Sequence, residues 1–172
     1  HIPMQLLTGA DGAWQLRGHF ARANPLWRRV AAGSAVLAVF RGVEHYISPS
    51  WYASKAEHGK VVPTWNYAAV HVTGSIRFIE DAAWLLALVG SLTDEHEQDR
   101  ANRWRVTDAP ADYRDGRLRA IVGFEIAVTG ITGKFKSSQN RSGADRAGVI
   151  RALRAEGVTE ADVTELVHDP GE

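Results

Sequence analysis

From Trp65 to Glu80 apolar and polar residues alternate with a period of two. Val70, Val72, Ile76 and Phe78 fall on one face, and Trp65, Tyr67, His71, Thr73, Ser75 and Arg77 on the other. That period belongs to a strand, because successive side chains leave a strand on opposite sides. The first face predicts a core. The second, polar and aromatic together, predicts a ligand wall or a subunit interface. Ala35 to Phe40, AVLAVF, is apolar throughout and predicts a strand buried on both faces. Shorter strands are predicted at Ile2 to Leu7 and Ala13 to Phe20, joined by Thr8-Gly9-Ala10-Asp11-Gly12, a turn rich in residues that tolerate positive φ. Leu118 to Phe135 predicts a strand pair or one long bent strand, broken at Gly130 and Gly133.

Helical patterns punctuate these strands. Asn24-Pro25 opens a short helix, with Asn24 as N-cap and Gly33 as its end. Asp81 caps a second, whose apolar stripe is Trp84, Leu85, Leu88, Val89 and Leu92. A polar segment runs from Thr93 to Arg105, and Asp108-Ala109-Pro110 marks a boundary. Ser142 to Ala155 predicts a helix with Asp145 in its first turn and Gly157 just beyond its end, and Thr159 caps a last one carrying Val163, Leu166 and Val167. Strands outnumber helices, so the expected class is mainly β with peripheral α-helices, a barrel over residues 1–141 and a helical segment over 142–172 packed on it.

Composition removes several functions. The 172 residues suit one domain able to bury a proper core. Twenty basic residues balance twenty acidic ones, so no global field draws the molecule to nucleic acid or an anionic membrane. The modest basic cluster of Arg141, Arg146, Arg151 and Arg154 is diluted by Asp145 and Glu156, and no helix-turn-helix pattern is evident. The absence of cysteine excludes disulfides, thiolate catalysis and Cys-ligated metal, and fits a cytoplasmic protein. No apolar run approaches the roughly 20 residues of a membrane span. Asp94-Glu95-His96-Glu97 matches no zinc spacing and reads as a polar helix end. His71 reads as a hydrogen-bonded structural histidine. The opening His1-Ile2-Pro3 reads as mid-strand sequence, so a further strand or helix is expected upstream.

The segment from His45 to Tyr67, HYISPSWYASKAEHGKVVPTWNY, mixes aromatic pairs, hydroxyls, lysines and prolines between two strands. A core does not need that mixture, whereas a pocket that stacks a flat ring and holds a polar or anionic tail does. Together with RGHFARANPLWR (Arg17 to Arg28), VPTWNYAAVHVTG (Val62 to Gly74), DAPADY (Asp108 to Tyr113), AIVGFEI (Ala120 to Ile126) and GKFKSSQNR (Gly133 to Arg141), this segment resembles the FMN-binding, PaiB-type family of negative transcriptional regulators. The resemblance runs from Arg17 to about Leu153. It departs at Ser137, where family members usually carry an aliphatic residue.

What the resemblance implies is a split β-barrel of the kind shared with pyridoxamine-phosphate oxidases and flavin reductases, dimerising with itself and holding FMN at the subunit interface. For the phosphate, His19 and Arg22 at a strand end, Lys55, and the hydroxyls of Ser48, Ser50 and Thr64 supply cations and donors. For the isoalloxazine, Trp51, Tyr52, Trp65 and Tyr67 supply surfaces, and Asn66 a donor and acceptor for the pyrimidine edge. Lys136 and Gln139 are expected to reach the flavin, from the second subunit. Three functions follow: an FMN-binding regulator acting on DNA directly or through a partner, a flavin-dependent oxidoreductase or flavin reductase, and a haem-binding or haem-degrading split barrel. The charge pattern does not support direct DNA contact. No catalytic residue and no metal ligand is assigned.

Overall fold

The computed structural model describes residues 1–9 and 11–168. In chain order the elements are β1 (Gln5–Thr8), β2 (Trp14–Ala21), α1 (Leu26–Arg29), β3 (Ala35–Ile47), α2 (Ser54–His58), β4 (Thr64–Ile79), α3 (Ala82–Glu97), α4 (Ala111–Arg119), β5 (Ile121–Lys136), α5 (Gly143–Ala155) and α6 (Glu160–Leu166), with 3-10 turns at Pro49–Trp51 and Val106–Asp108. Among the described residues the strands form one sheet in the order β1-β2-β5-β4-β3. The chain divides into two compact units, His1–Leu37 with Val72–Gly130, and Ala38–His71 with Ile131–Glu172. This division cuts through β3, β4 and β5.

In the first unit β2 is central. It pairs antiparallel with β1, Gln5 opposite Arg17, and with β5, Gln15 opposite Ala127 through Ala21 opposite Ile121. Its alternation buries Leu16, Gly18 and Phe20. Phe20 stacks at 4.7 Å from Phe124 and 6.2 Å from Phe78, measured between ring centroids. Gly18 is needed there, because a Cβ would lie 2.5 Å from Phe124 Cζ. The Asp81 carboxylate accepts from Trp84 N–H at 2.7 Å and starts α3. A Cβ on Gly123 would strike the Trp84 ring, which shows how closely α3 lies on β5. The polar stretch after Leu92 stays helical as far as Glu97, and Gln5 Nε2 ties it to β1 through Ser91 Oγ and Glu95 Oε2, both at 2.9 Å. Buried Glu125 sits between Arg17, at 2.8 Å, and Arg77. The Arg17 contact is close but misaligned, since neither Arg17 Nε nor Glu125 Oε1 has a hydrogen-bond partner of good geometry.

The second unit has its own core of Ile47, Tyr52, Val149, Leu153, Val163 and Leu166. Helix α5 is capped by Ser142, whose Oγ accepts from Asp145 N at 3.2 Å, and α6 by Thr159, whose Oγ1 accepts from Asp162 N at 3.2 Å. Gly157 ends α5 in the left-handed region with φ 82°. Strand β3 departs from expectation. It is the last strand of the sheet, and Val39 and Phe40 remain exposed, with only Ala38 and Ile47 buried in this unit's share of it. An all-apolar run thus marks surface that this chain leaves uncovered, not a strand buried on both faces.

Candidate functional site

Ser50, Trp51, Tyr52, Lys55, Thr64, Trp65, Asn66, Tyr67, Lys136 and Gln139 all belong to the second unit; His19 and Arg22 belong to the first. Two short elements inside the aromatic segment escaped sequence reading. Ser48 Oγ accepts from Ser50 N at 3.2 Å and opens the 3-10 turn at Pro49. Five residues then form α2, whose first N–H groups have no cap from their own segment. The cap comes from α5 instead. Asp145, buried, accepts from Ser54 N at 2.9 Å and from Ser54 Oγ at 2.8 Å. Burial alone would raise its pKa, but the two Ser54 hydrogen bonds and the Arg141 and His58 charges outweigh it and hold the carboxyl below its ordinary value. An acidic residue in a helix first turn was legible in sequence, whereas its use as a tertiary cap was not.

That cap fixes the stretch that presents Lys55, whose ammonium donates to Ser50 Oγ at 3.0 Å. At the far end of β5, the Lys136 ammonium donates to Thr64 Oγ1, joining the end of β5 to the start of β4. Among the described residues, the contacts of these two ammonium groups are hydroxyls and not carboxylates. Each therefore keeps its positive charge uncompensated by a carboxylate contact, as an anion site requires.

Asn66 lies in register with Val72 on the core face of β4, one residue out of phase with Trp65 and Tyr67. It is buried, and its amide nitrogen donates to Ser138 Oγ and to the Leu166 carbonyl, both at 2.8 Å. Its amide donors are thus used inside the protein. The Ser138 bond matters because Ser138 holds φ 59°, in the left-handed region, at a cost of order 1–2 kcal/mol for a residue with a Cβ. Gln139 completes the same turn: its Nε2 donates to the Phe135 carbonyl at 2.7 Å and its Oε1 accepts from Ser137 N at 2.9 Å. Ser137 is buried there, and its carbonyl accepts from His168 N at 3.0 Å. Asn66 and Gln139 shape the turn that follows Lys136.

The aromatic residues separate into two groups. Tyr52 is buried in the core, with the Arg141 guanidinium 4.2 Å above its ring and its hydroxyl unpartnered, and Trp51 packs against that core. Trp65 is 53% exposed and meets Tyr46 edge-on at 6.0 Å, while Phe135 is 61% exposed. Tyr67 is half-buried. The open aromatic surface therefore adjoins Thr64 and Lys136 in sequence.

In the first unit Arg22 is fully engaged. Its Nε donates to the Arg119 carbonyl at 2.8 Å, its Nη2 to the Ile121 carbonyl at 3.2 Å, and its Nη1 to Glu80. Its guanidinium also stacks 5.6 Å from the Trp27 ring centre. His19 lines an apolar cavity of about 440 Å³, and burial pushes its pKa down.

FMN needs cations and hydroxyls for its phosphate and flat surfaces for its ring, and the second unit supplies both. Lys55 with Ser50 and Lys136 with Thr64 are the fitting anion ligands, and exposed Trp65 with Tyr67 the fitting ring surfaces. A family described as "Putative FMN-binding domain" matches residues 1–130. The chain is 35% identical over 170 residues to "Protease synthase and sporulation protein PAI 2" of Bacillus subtilis, covering 98% of this chain and 79% of that one. It is 33% identical over 204 residues to the uncharacterized protein AN0679 of Emericella nidulans, covering 100% of this chain and 81% of that one. Its fold is similar to the flavocytochrome Anf3 of Azotobacter vinelandii with a TM-score of 0.53 and 14% identity, covering 84% of this chain and 60% of that structure. The fold class is accordingly that expected, mainly β with peripheral helices and of the split-barrel kind. The chain belongs to the PaiB-type family of FMN-binding proteins.

Proposed function

We propose that this protein binds FMN through its second unit as a homodimer, and that the flavin-loaded dimer regulates transcription through a protein partner. The observation that carries the flavin reading is the pair of hydroxyl-held ammonium groups, Lys55 on Ser50 and Lys136 on Thr64, with exposed Trp65 next to Thr64 in sequence. In this reading Lys136 and Lys55 hold the phosphate, Trp65 and Tyr67 flank the ring, and the Asn66–Ser138–Gln139 turn orients Lys136. FMN, when bound, supplies hydride or single-electron exchange. The second subunit is supported by exposed apolar side chains of β3, β4 and β5, among them Val39, Phe40, Trp65, Ile131 and Phe135. Monomers rarely leave large apolar surface open unless something covers it. Action through a partner is favoured over direct DNA contact because the net charge is zero.

Absorption spectra of purified protein, as isolated and after incubation with FMN or haemin, test the cofactor. Flavin bands that persist through gel filtration support the reading. A retained Soret band with no retained flavin would transfer the pocket to haem. Gel-shift titration across salt concentrations tests the regulatory route: specific retention at physiological salt would contradict the need for a partner.

A further inference from the structure

Lys55 and its partner Ser50 are both exposed, so a phosphate can reach them. The backbone that carries them is held from the interior. Tyr52 is buried, and its carbonyl accepts from Lys55 N at 3.2 Å. The Lys55 carbonyl accepts in turn from Gly59 N at 3.0 Å, where left-handed Gly59 ends α2. With only five residues, α2 is too short to keep its shape by its own hydrogen bonds. Its start is fixed by α5: Asp145 Oδ1 accepts from Ser54 N and Oδ2 from Ser54 Oγ. Three residues on, Gly148 lets the same face of α5 lie directly against the Trp51 carbonyl, next to Ser50 in sequence. One buried face of one helix thus locates both the 3-10 turn that carries Ser50 and the short helix that carries Lys55.

We propose that Asp145 is a positioning residue for the FMN phosphate, acting through Ser54 on Lys55 and giving the site a preference for FMN over riboflavin. This role rests on the flavin site proposed above. Asp145 is buried and both its oxygens accept from Ser54, so it acts at one remove from the ligand. Its effect is preorganisation. A lysine on an unanchored surface stretch loses conformational freedom when it takes hold of an anion, and that loss weakens binding. With Ser54 capped, the Lys55 backbone is fixed beforehand. Its ammonium rests on the Ser50 hydroxyl, a neutral acceptor that a charged phosphate oxygen outcompetes. Riboflavin has the same ring and ribityl chain but no anion, so it gains nothing from a fixed Lys55.

The test is fluorescence titration of FMN and of riboflavin with the full chain in phosphate-free buffer. Wild type, Asp145→Asn, Lys55→Ala and the double variant are compared, with folding checked by circular dichroism. Wild type should bind FMN about tenfold more tightly than riboflavin, or better. Asp145→Asn should lose about fivefold or more in FMN affinity and change riboflavin affinity by no more than about twofold. In the Lys55→Ala background Asp145→Asn should have no further effect, because the residue through which it acts is gone. Ser54→Ala removes one of the two bonds without altering the buried carboxylate; it should repeat the pattern and replaces Asp145→Asn if that variant does not fold. A folded wild type that binds neither flavin would remove the flavin site and this role with it. Where flavin does bind, four results would overturn the positioning role and leave the flavin site standing. They are no preference for FMN in wild type, unchanged FMN affinity in Asp145→Asn, equal losses for FMN and riboflavin, or a further loss in the double variant.

Discussion

Asp145 shows how one side chain sets the geometry of a distant segment. It is the N-terminal cap that α2 lacks, and it works as a carboxylate. Its folded pKa lies below its ordinary value, so its contribution is fully present above the unfolded value and is lost as pH falls through the folded one. Denaturant unfolding followed across pH should therefore show wild-type stability falling on the acid side, below about pH 4. Asp145→Asn should be less stable at neutral pH, by about 1–3 kcal/mol for lost charged hydrogen bonds, and should lose much of that acid dependence. A variant as stable as wild type at pH 7 would show that Ser54 finds another cap. Lys136 is predicted from its environment in the same way. Replacing it with Ala removes a charge that, among the described residues, is held by the Thr64 hydroxyl, so FMN affinity should fall about tenfold or more, while the melting temperature, read by circular dichroism, stays within a few degrees of wild type.

At the scale of elements, the contact between α5 and the 3-10 turn depends on Gly148. A Cβ there would run into the Trp51 carbonyl oxygen, whereas a Cβ on Gly90 in α3 meets nothing within 4 Å. Gly148→Ala should cost about 1–3 kcal/mol through forced displacement, and Gly90→Ala should add about 0.5–1 kcal/mol through helix propensity. Equal effects in thermal melts would refute the packing account. The elements that sequence made legible are those with a clean period or a cap. The alternation of β4, the Asp81 start of α3 and the Ser142 and Thr159 caps lie where expected. Helix α4 was missed because it buries a single side chain, Leu118, so its sequence carries no apolar stripe. Strand β5 runs unbroken through Gly130 and Gly133, since pairing in a sheet overrides the local weakness of glycine. The face of Asn66 was readable from its register with Val72. Its two partners were not, because Ser138 and Leu166 lie 72 and 100 residues away in sequence.

For the whole molecule, family membership, two hydroxyl-held cations and an uncovered apolar surface together support the proposed flavin-binding dimer. Phe135→Glu places a charge on that surface, 61% exposed in the single chain. Light scattering should give twice the chain mass for wild type and the single mass for the variant; a monomeric wild type would remove the dimer. Among the described residues no helix is long and apolar enough to cross a membrane, and the net charge is zero. The central claim is that the second unit holds FMN through Lys136 and Trp65. It is tested most directly by titrating FMN fluorescence with wild-type protein, Lys136→Ala and Trp65→Ala. The account predicts saturable quenching at one FMN per chain in wild type and at least tenfold weaker binding in both variants. Unquenched FMN in the presence of folded wild type, or the same affinity in all three proteins, would contradict it.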